Sequence, residues 1–102
     1  MADSIALTEA VYFILLSLTR PLHGYGIMQL TEQLSAGRVR LAAGTLYGAL
    51  NTLCEKSWIK ELPVQAGSRK KEYVITDAGR AVLMGELDRL RQLVRAGEEM
   101  LK

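Results

Sequence analysis

The chain has 102 residues and a mass of 11.3 kDa, the size of one ordinary globular domain. Its 49% hydrophobic and 24% charged residues exclude a disordered chain, and its longest apolar run is too short to cross a bilayer. One cysteine and one histidine exclude an intrachain disulfide, argue against a zinc site and leave a catalytic triad dependent on His23. We therefore expect a cytoplasmic binding module, with no signal peptide, that is not an enzyme and uses neither metal nor cofactor.

Positive charge is concentrated in the middle of the chain. Residues 36–80 carry a net charge of +4, whereas residues 1–35 carry −2 and residues 81–102 are neutral. A local basic excess is typical of proteins that bind polyanions. Because the excess is modest, charge taken alone favours the alternative of an ordinary solvated face.

The first half of the chain has the periodicity of three helices. Thr8 is the predicted N-cap of the first helix, which ends before Pro21. A turn at His23-Gly24 leads to a second helix over about residues 25–34, and a third runs from near Gly44-Thr45 to about residue 56. Apolar residues spaced by three and four predict one buried face on each helix. These faces contain Val11, Ile14, Leu15 and Leu18, then Ile27, Leu30, Thr31 and Leu34, then Leu46, Leu50, Leu53 and Cys54.

The second half of the chain predicts a hairpin and a long helix. Residues 58–64 and 71–75 are rich in β-branched and aromatic residues and flank a connection containing Gly67, which indicates two paired strands. The densest basic cluster in the chain, Arg69, Lys70 and Lys71, falls at the tip of this hairpin. Thr76 is the predicted N-cap of the last helix.

The last helix carries a heptad seam. The seam residues are spaced alternately by four and three, and they are Leu83, Leu87, Leu90, Val94, Gly97 and Leu101. About 26 residues give a helix of roughly 39 Å, which is long for so small a domain. We therefore expect the stripe to pack against a second copy in a two-fold homodimer. The alternative, that the stripe folds back on its own core, stays open.

These elements together predict a mainly α, α+β fold. Residues 1–76 would form a winged helix-turn-helix DNA-binding domain with a two-stranded wing, and residues 77–102 a C-terminal dimerisation helix in the same compact unit. In this arrangement the third helix presents its polar side to the DNA major groove, and wing cations reach phosphates or the minor groove.

Residues at the start of the third helix are candidate DNA contacts. Gly44 permits a close backbone approach, and Thr45 either caps the helix or binds a phosphate together with the helix N-terminus. Tyr47 follows the core residue Leu46 and is expected to face outward, where it reaches a phosphate or a base edge. Asn51 lies one turn later on the same face and is a candidate adenine reader, with a solvated position or a phosphate contact as the alternative.

Three motifs follow one another in the chain. They are Gly24-Tyr25-Gly26-Ile27, Gly44-Thr45-Leu46-Tyr47-Gly48-Ala49-Leu50 and Tyr73-Val74-Ile75-Thr76-Asp77-Ala78-Gly79-Arg80. In this order and spacing they closely resemble PadR-family transcriptional regulators, and the resemblance covers about residues 5–102. The single C-terminal helix resembles the small branch of the family, which includes multidrug-sensing repressors. The resemblance implies a homodimeric regulator, usually a repressor that a small molecule releases from its operator.

Further contacts follow from the family resemblance and from charge. The resemblance places Tyr25 at the start of the second helix, with its hydroxyl on a phosphate. Arg38 and Arg40 precede the third helix and are expected to touch the DNA backbone, as are the wing cations Arg69, Lys70 and Lys71. A two-fold dimer presents two equivalent reading heads, so we expect the double-stranded operator to be palindromic.

The chain departs from the family pattern at three places. Ala43 stands where the family usually has proline, and Ser57-Trp58-Ile59 replaces the usual Gly-Leu-Ile. Trp58 is expected to anchor the core, and Cys54 to be a buried structural thiol. The last helix lacks the tryptophan on which drug-sensing members stack flat ligands. A small hydrophobic effector at the dimer interface would therefore contact Met and Leu side chains.

A second class of function also fits the sequence. A winged helix that binds another protein instead of DNA would have the same elements and the same hydrophobic pattern. Association with a partner chain that is insensitive to salt, without retention on DNA, would distinguish this interaction module from a regulator.

Overall fold

Four helices and three short strands make up the described part of the chain. The computed structural model describes residues 6–64 and 66–102, so the expectation about a signal peptide concerns residues outside it. The elements in chain order are α1 (Glu9–Ser17), β1 (Leu22–His23), α2 (Gly24–Leu34), α3 (Ala43–Glu55), β2 (Ile59–Glu61), β3 (Glu72–Ile75) and α4 (Asp77–Met100). The α+β winged-helix prediction is confirmed. No described helix is both long enough and apolar enough to span a membrane.

The sheet has three antiparallel strands in the order β1-β3-β2. Strands β2 and β3 form the predicted hairpin, with Ile59 opposite Ile75. The predicted turn at His23-Gly24 is wrong, because His23 pairs with Glu72 in β1 and α2 begins at Gly24. A two-residue strand shows no alternation, and its partner lies about 50 residues later. Strand β1 therefore has no local sequence signal.

Two predicted helix caps are confirmed. The Thr8 hydroxyl accepts a hydrogen bond from the Val11 N–H at 3.1 Å, and the Thr76 hydroxyl accepts one from the Gly79 N–H at 3.1 Å. Helix α1 ends at Ser17, a few residues earlier than the end that Pro21 predicts. The Leu18 carbonyl accepts from the Ile75 N–H at 2.8 Å, so the end of α1 is joined to β3.

The start of α3 differs from the prediction. The N-cap position is Ala42, whose side chain offers no hydrogen-bond acceptor, and Ala43 and Gly44 precede Thr45 in the helix. The suggestion that Thr45 caps α3 is therefore wrong, because a cap lies outside the first turn and Thr45 lies within it.

The core lies where α1, α2, α3 and the sheet meet. Its buried residues are Ile14, Leu15, Leu18, Ile27, Leu46, Leu50, Leu53, Ile59, Tyr73, Ile75 and Leu83. Trp58 is half-buried and packs against this cluster, while the Lys56 ammonium lies 5.2 Å from its ring centroid. Leu34 was predicted to be buried but is exposed, so the buried face of α2 ends at Thr31.

Helix α4 projects from this core. The radius of gyration is 15.1 Å, larger than the roughly 13 Å of a compact domain of this length. The helix packs on α1 and β3 through its first turns, where Gly79, Leu83 and Glu86 are buried. A side chain at Gly79 would collide with the Trp58 carbonyl, so this approach requires glycine. Most of α4 beyond Leu90 is exposed.

Candidate nucleic-acid interface

The first turns of α2 and α3 meet at two tyrosines. The side chains of Tyr25 and Tyr47 are 62% and 46% exposed, although both are large and partly apolar. The hydroxyl end of Tyr47 lies against Gly24, where an added methyl group would come within 2.8 Å of the Tyr47 Cζ atom. Gly24 therefore lets Tyr47 rest on the first turn of α2, and Tyr25 is the next residue in that turn.

Helix α3 has one buried and one open face. Leu46 and Leu50 are fully buried, which fixes the rotation of the helix about its axis. Consequently Gly44, Thr45, Tyr47, Gly48 and Asn51 are all exposed. A Cβ atom at Gly44 or Gly48 would meet nothing within 4 Å. The open face therefore carries small residues beside the longer side chains of Tyr47 and Asn51. Sequence reasoning did not single out Gly48.

The two arginines before α3 are paired with carboxylates. Arg38 bonds Glu9 at the start of α1 through both its Nη2 and Nε atoms, each at 3.1 Å. The Arg40 Nε atom lies 3.7 Å from Glu32 in α2. All four side chains are exposed, and surface ion pairs of this kind contribute little stability, so a phosphate can compete for either guanidinium.

The connection between β2 and β3 is the wing. Arg69, Lys70 and Lys71 are exposed on it, as the sequence predicted. The Lys71 Nζ atom lies 3.6 Å from the Glu61 carboxylate across the hairpin. Gly67 has a φ of +83°, which favours glycine at this bend. Val64 is an exposed apolar residue on the same segment that sequence reasoning missed.

The wing and α2 are joined through the sheet. Leu22 pairs with Tyr73 on one side of β3, and Glu61 pairs with Tyr73 on the other. Strand β1 ends where α2 begins, so the root of the wing is hydrogen-bonded to the segment directly before Tyr25. The tyrosines, α3 and the wing thus belong to one connected unit.

Burial shifts two titrating groups beneath this unit. Burial raises the pKa of the Cys54 thiol, and the Glu61 carboxylate raises it further. The same two causes, burial first, raise the pKa of Tyr73. Cys54 is only half-buried, so the prediction of a buried thiol is wrong in degree, but the thiol is neutral at neutral pH, in keeping with a structural role.

The predicted seam of α4 divides into two parts. Leu83 is 7% exposed and already belongs to the core of its own chain. Leu90 is half-buried, whereas Leu87, Val94 and Leu101 are 37%, 58% and 87% exposed. The apolar stripe thus becomes more exposed toward the C-terminal end of the helix.

A buried carboxylate lies in the same helix. Glu86 accepts hydrogen bonds from the Arg89 Nε and Nη2 atoms, both at 2.7 Å, and from the Leu7 N–H at 3.2 Å. The bonds from Arg89 lower the pKa of Glu86 most, burial opposes them, and the bond from Leu7 lowers it further. Sequence reasoning did not identify Glu86, because a charged residue in a long helix is normally a solvated one.

Three packed helices, a basic β-hairpin wing and an exposed face on the third helix define the winged helix-turn-helix class. The sequence profile of the transcriptional regulator PadR-like family matches residues 14–84, and the chain belongs to this family. The family resemblance drawn from the three motifs is thereby confirmed.

Several solved structures share this fold, and one curated relative shares part of this sequence. A PadR family transcriptional regulator from Eggerthella lenta DSM 2243 superposes with a TM-score of 0.73 at 25% identity, over 90% of this chain and 80% of that one. PadR from Bacillus subtilis, in complex with operator DNA, superposes with a TM-score of 0.63 at 22% identity, over 76% of this chain and 45% of that one.

The curated relative is an uncharacterized 37.1 kDa protein in transposon TN4556 of Streptomyces fradiae. It is 38% identical over 73 residues, which is 72% of this chain and 20% of that protein. The chain thus spans about a fifth of the length of this relative.

Proposed function

We propose that this PadR-family regulator is a homodimeric repressor that binds a palindromic operator through α3 and the wing. The observation that carries the proposal is the open face of α3. Its small residues leave room for a base edge, and Tyr25 and the basic wing beside it supply phosphate contacts. The operator complex of Bacillus subtilis PadR supports DNA as the partner.

Each exposed residue of this surface has a role in the proposal. Tyr47 and Asn51 reach base edges in the major groove, and Gly44 allows the DNA backbone to approach closely. The backbone amides at the start of α3, together with the Thr45 hydroxyl, bind a phosphate. The remaining contacts are to phosphates, and they come from Tyr25, Arg38, Arg40, Arg69, Lys70 and Lys71.

Dimerisation is proposed through α4. Leu87, Leu90, Val94 and Leu101 form an apolar stripe on a helix that extends beyond its own core. Leu83, which is buried in its own chain, forms the base of that stripe. A second copy would cover the stripe through a self-complementary contact, with residues 1–76 as the reading head and residues 77–102 as the dimerisation helix.

Relief of repression is proposed to come from a small hydrophobic effector. Met84, Leu93 and Met100 are exposed apolar side chains that flank the proposed seam. Methionine adapts its shape readily to different ligands, so these side chains suit an apolar molecule held between two α4 helices. In this role the protein acts in the cytoplasm, on the DNA of its own cell.

The test is an electrophoretic shift with the DNA directly upstream of the protein's own gene, at two salt concentrations. A shift that survives excess unrelated DNA, and that Tyr47→Ala or Asn51→Ala weakens about tenfold, supports the proposal. Gln92→Ala, an exposed substitution on α4, is the matched control and should bind as the unmodified protein does.

Two outcomes count against this function. A shift that any DNA removes equally well would show only a non-specific basic surface. Absence of a shift, together with salt-insensitive capture of a partner chain, would favour the protein-interaction module.

A further inference from the structure

Glu86 is a carboxylate on the apolar face of α4. It lies three residues after Leu83 and four before Leu90, and residues at these spacings share one face of a helix. Its side chain is only 3% exposed. Burial of a carboxylate is unfavourable unless hydrogen bonds and an opposite charge compensate it. An apolar residue would fill this buried position without the cost of burying a charge, so the contacts of Glu86 are the feature that distinguishes it.

Those contacts join two distant parts of the chain. Arg89, one turn later in α4, supplies the compensating charge through two hydrogen bonds of 2.7 Å. The remaining bond comes from the Leu7 N–H, 79 residues earlier in the sequence. Leu7 lies directly before Thr8, the N-cap of α1, and its side chain packs against the core. The Glu86 carboxylate therefore ties α4 to the start of α1.

This tie adds to the contacts nearer the start of α4. Leu83 is buried in the core, and in the first turn Gly79 lies against the Trp58 carbonyl. Seven residues separate Gly79 from Glu86, or about 10 Å along the axis. A contact at one point lets a helix pivot, whereas two separated contacts fix its direction. Beyond Leu90 the described residues of α4 are nearly all exposed, so the direction depends on these first turns.

The direction of α4 has a large effect at its far end. Met100 lies 14 residues beyond Glu86, or about 21 Å along the helix. A tilt of about 10° at Glu86 would move that end by about 4 Å, close to the roughly 3.4 Å between successive base pairs. A tilt of α4 of this size would therefore change the distance between the two reading heads of the dimer by about the length of one base pair.

We infer that Glu86 is a positioning residue for operator recognition. By holding α4 at a fixed angle to the winged helix, it sets the distance between the two α3 helices of the dimer and so the spacing of half-sites that the dimer accepts. This inference rests on the proposed function. Glu86 itself contacts no DNA in this scheme.

The variant that separates positioning from stability is Glu86→Leu. A leucine fits the apolar face, and Arg89, whose side chain is 26% exposed, can turn its guanidinium toward water once Glu86 is gone. It nevertheless removes the acceptor for the Leu7 N–H. Glu86→Gln keeps an amide oxygen for that N–H and serves as the conservative rescue. Asp88→Asn is the matched control, because it breaks the exposed Arg91–Asp88 pair, which has the same spacing in the same helix.

The first measurement is made within one chain. Nitroxide labels are placed at Gln33→Cys in α2 and Arg95→Cys in α4, in a Cys54→Ser background, and the labelled chain is diluted with unlabelled protein. Pulsed dipolar spectroscopy should give one narrow distance distribution for the unmodified Glu86 and for Asp88→Asn. Glu86→Leu should at least double its width, and Glu86→Gln should restore most of the narrowness. A narrow, unshifted distribution for Glu86→Leu would overturn the inference.

The second measurement uses DNA duplexes in which the half-site spacing differs by one base pair in each direction. The unmodified dimer should prefer the native spacing by at least tenfold, and Glu86→Leu should reduce that preference below threefold. Equal preference in both proteins would also overturn the inference. If the unmodified protein binds no duplex, the proposed function fails first, and the positioning role for an operator fails with it.

Discussion

The hydroxyl end of the Tyr47 side chain in α3 lies against Gly24, the first residue of α2. The aromatic side chain of α3 is therefore placed by a residue that has no side chain. Any Cβ atom at position 24 would occupy the space of the end of the tyrosine side chain. The direction in which Tyr47 points is thus encoded more than twenty residues earlier in the sequence.

Gly24→Ala should displace Tyr47 while leaving the fold intact. The colliding atoms are at the end of a flexible side chain, so the ring can swing away, and the free energy of unfolding should fall by less than about 1 kcal/mol. Without its base-edge or phosphate contact, the protein should nevertheless bind the operator about tenfold more weakly. Fluorescence anisotropy with labelled operator, together with a thermal melt, measures both quantities.

Two other glycines give the controls for this experiment. Gly85 lies in an open part of α4, so Gly85→Ala should stabilise the helix by about 0.5–1 kcal/mol and leave DNA affinity unchanged. Gly79→Ala meets the Trp58 carbonyl and should destabilise the fold more than Gly24→Ala does. Unchanged operator affinity in Gly24→Ala would show that the placement of Tyr47 is not important for binding.

The wing cations should determine the salt dependence of binding. We expect Lys70→Gln combined with Lys71→Gln to weaken binding to all DNA sequences alike, because phosphates carry no sequence information. The slope of log affinity against log salt should become shallower by about 0.9 for each phosphate that the wing no longer neutralises. Lys102→Gln, two residues beyond the end of α4, is the control. A slope that stays the same in the double variant would remove the wing from the interface.

The dimer seam is tested by two exposed apolar residues of α4. Val94 is 58% exposed on the proposed seam, and Ala96 is an exposed apolar residue about 160° away around the helix. Val94→Glu should give a monomer in light scattering, because it places a charge in the proposed contact. Ala96→Glu should stay dimeric at the same concentration. Dimers of equal stability in both variants would contradict a seam along Val94.

Ser57 occupies a backbone conformation that suits glycine. Its φ is +62°, and this is the position where the family pattern usually has glycine. Ser57→Gly should relieve about 1–2 kcal/mol of left-handed strain at an entropic cost of about 0.5–1 kcal/mol. The net gain should raise the melting temperature by a few degrees. Ser57→Ala removes the same hydroxyl but retains the strain, so no such gain should appear in its melt.

Acid should remove the stabilisation that Glu86 provides. Hydrogen bonds from Arg89 hold the pKa of Glu86 below its ordinary value of about 4.3, so the folded protein favours the ionised form. The contribution is complete above that ordinary value and is lost as pH falls through the lowered pKa. Urea unfolding between pH 7 and pH 3 should show a steeper acid loss for the unmodified protein than for Glu86→Leu. Asp88→Asn should follow the unmodified protein.

Local sequence signals were sufficient for most of the elements. Periodic apolar residues predicted the helices, and Thr8 and Thr76 marked two helix starts, because a side-chain cap acts within three residues. The start of α3 was placed less well, since Ala42 makes no side-chain cap. Strand β1 was missed because it exists only through pairing with β3.

The candidate site was predictable in composition but not in contacts. Exposure of Tyr47 and Asn51 follows from the burial of Leu46 and Leu50 on the opposite face of α3. The contact of Tyr47 with Gly24 joins two helices, so spacing within one helix could not reveal it. The same is true of Glu86, whose partner Leu7 lies near the other end of the chain.

The pairing of β1 with β3 makes the wing and the first turn of α2 a single cooperative unit. Opening this two-residue ladder would free the backbone of Leu22 and His23, and with it the N-cap position of α2. Local unfolding that begins in the wing would thus release the beginning of the second helix as well. Amide hydrogens on both sides of that ladder should exchange together, at a rate set by one shared opening event.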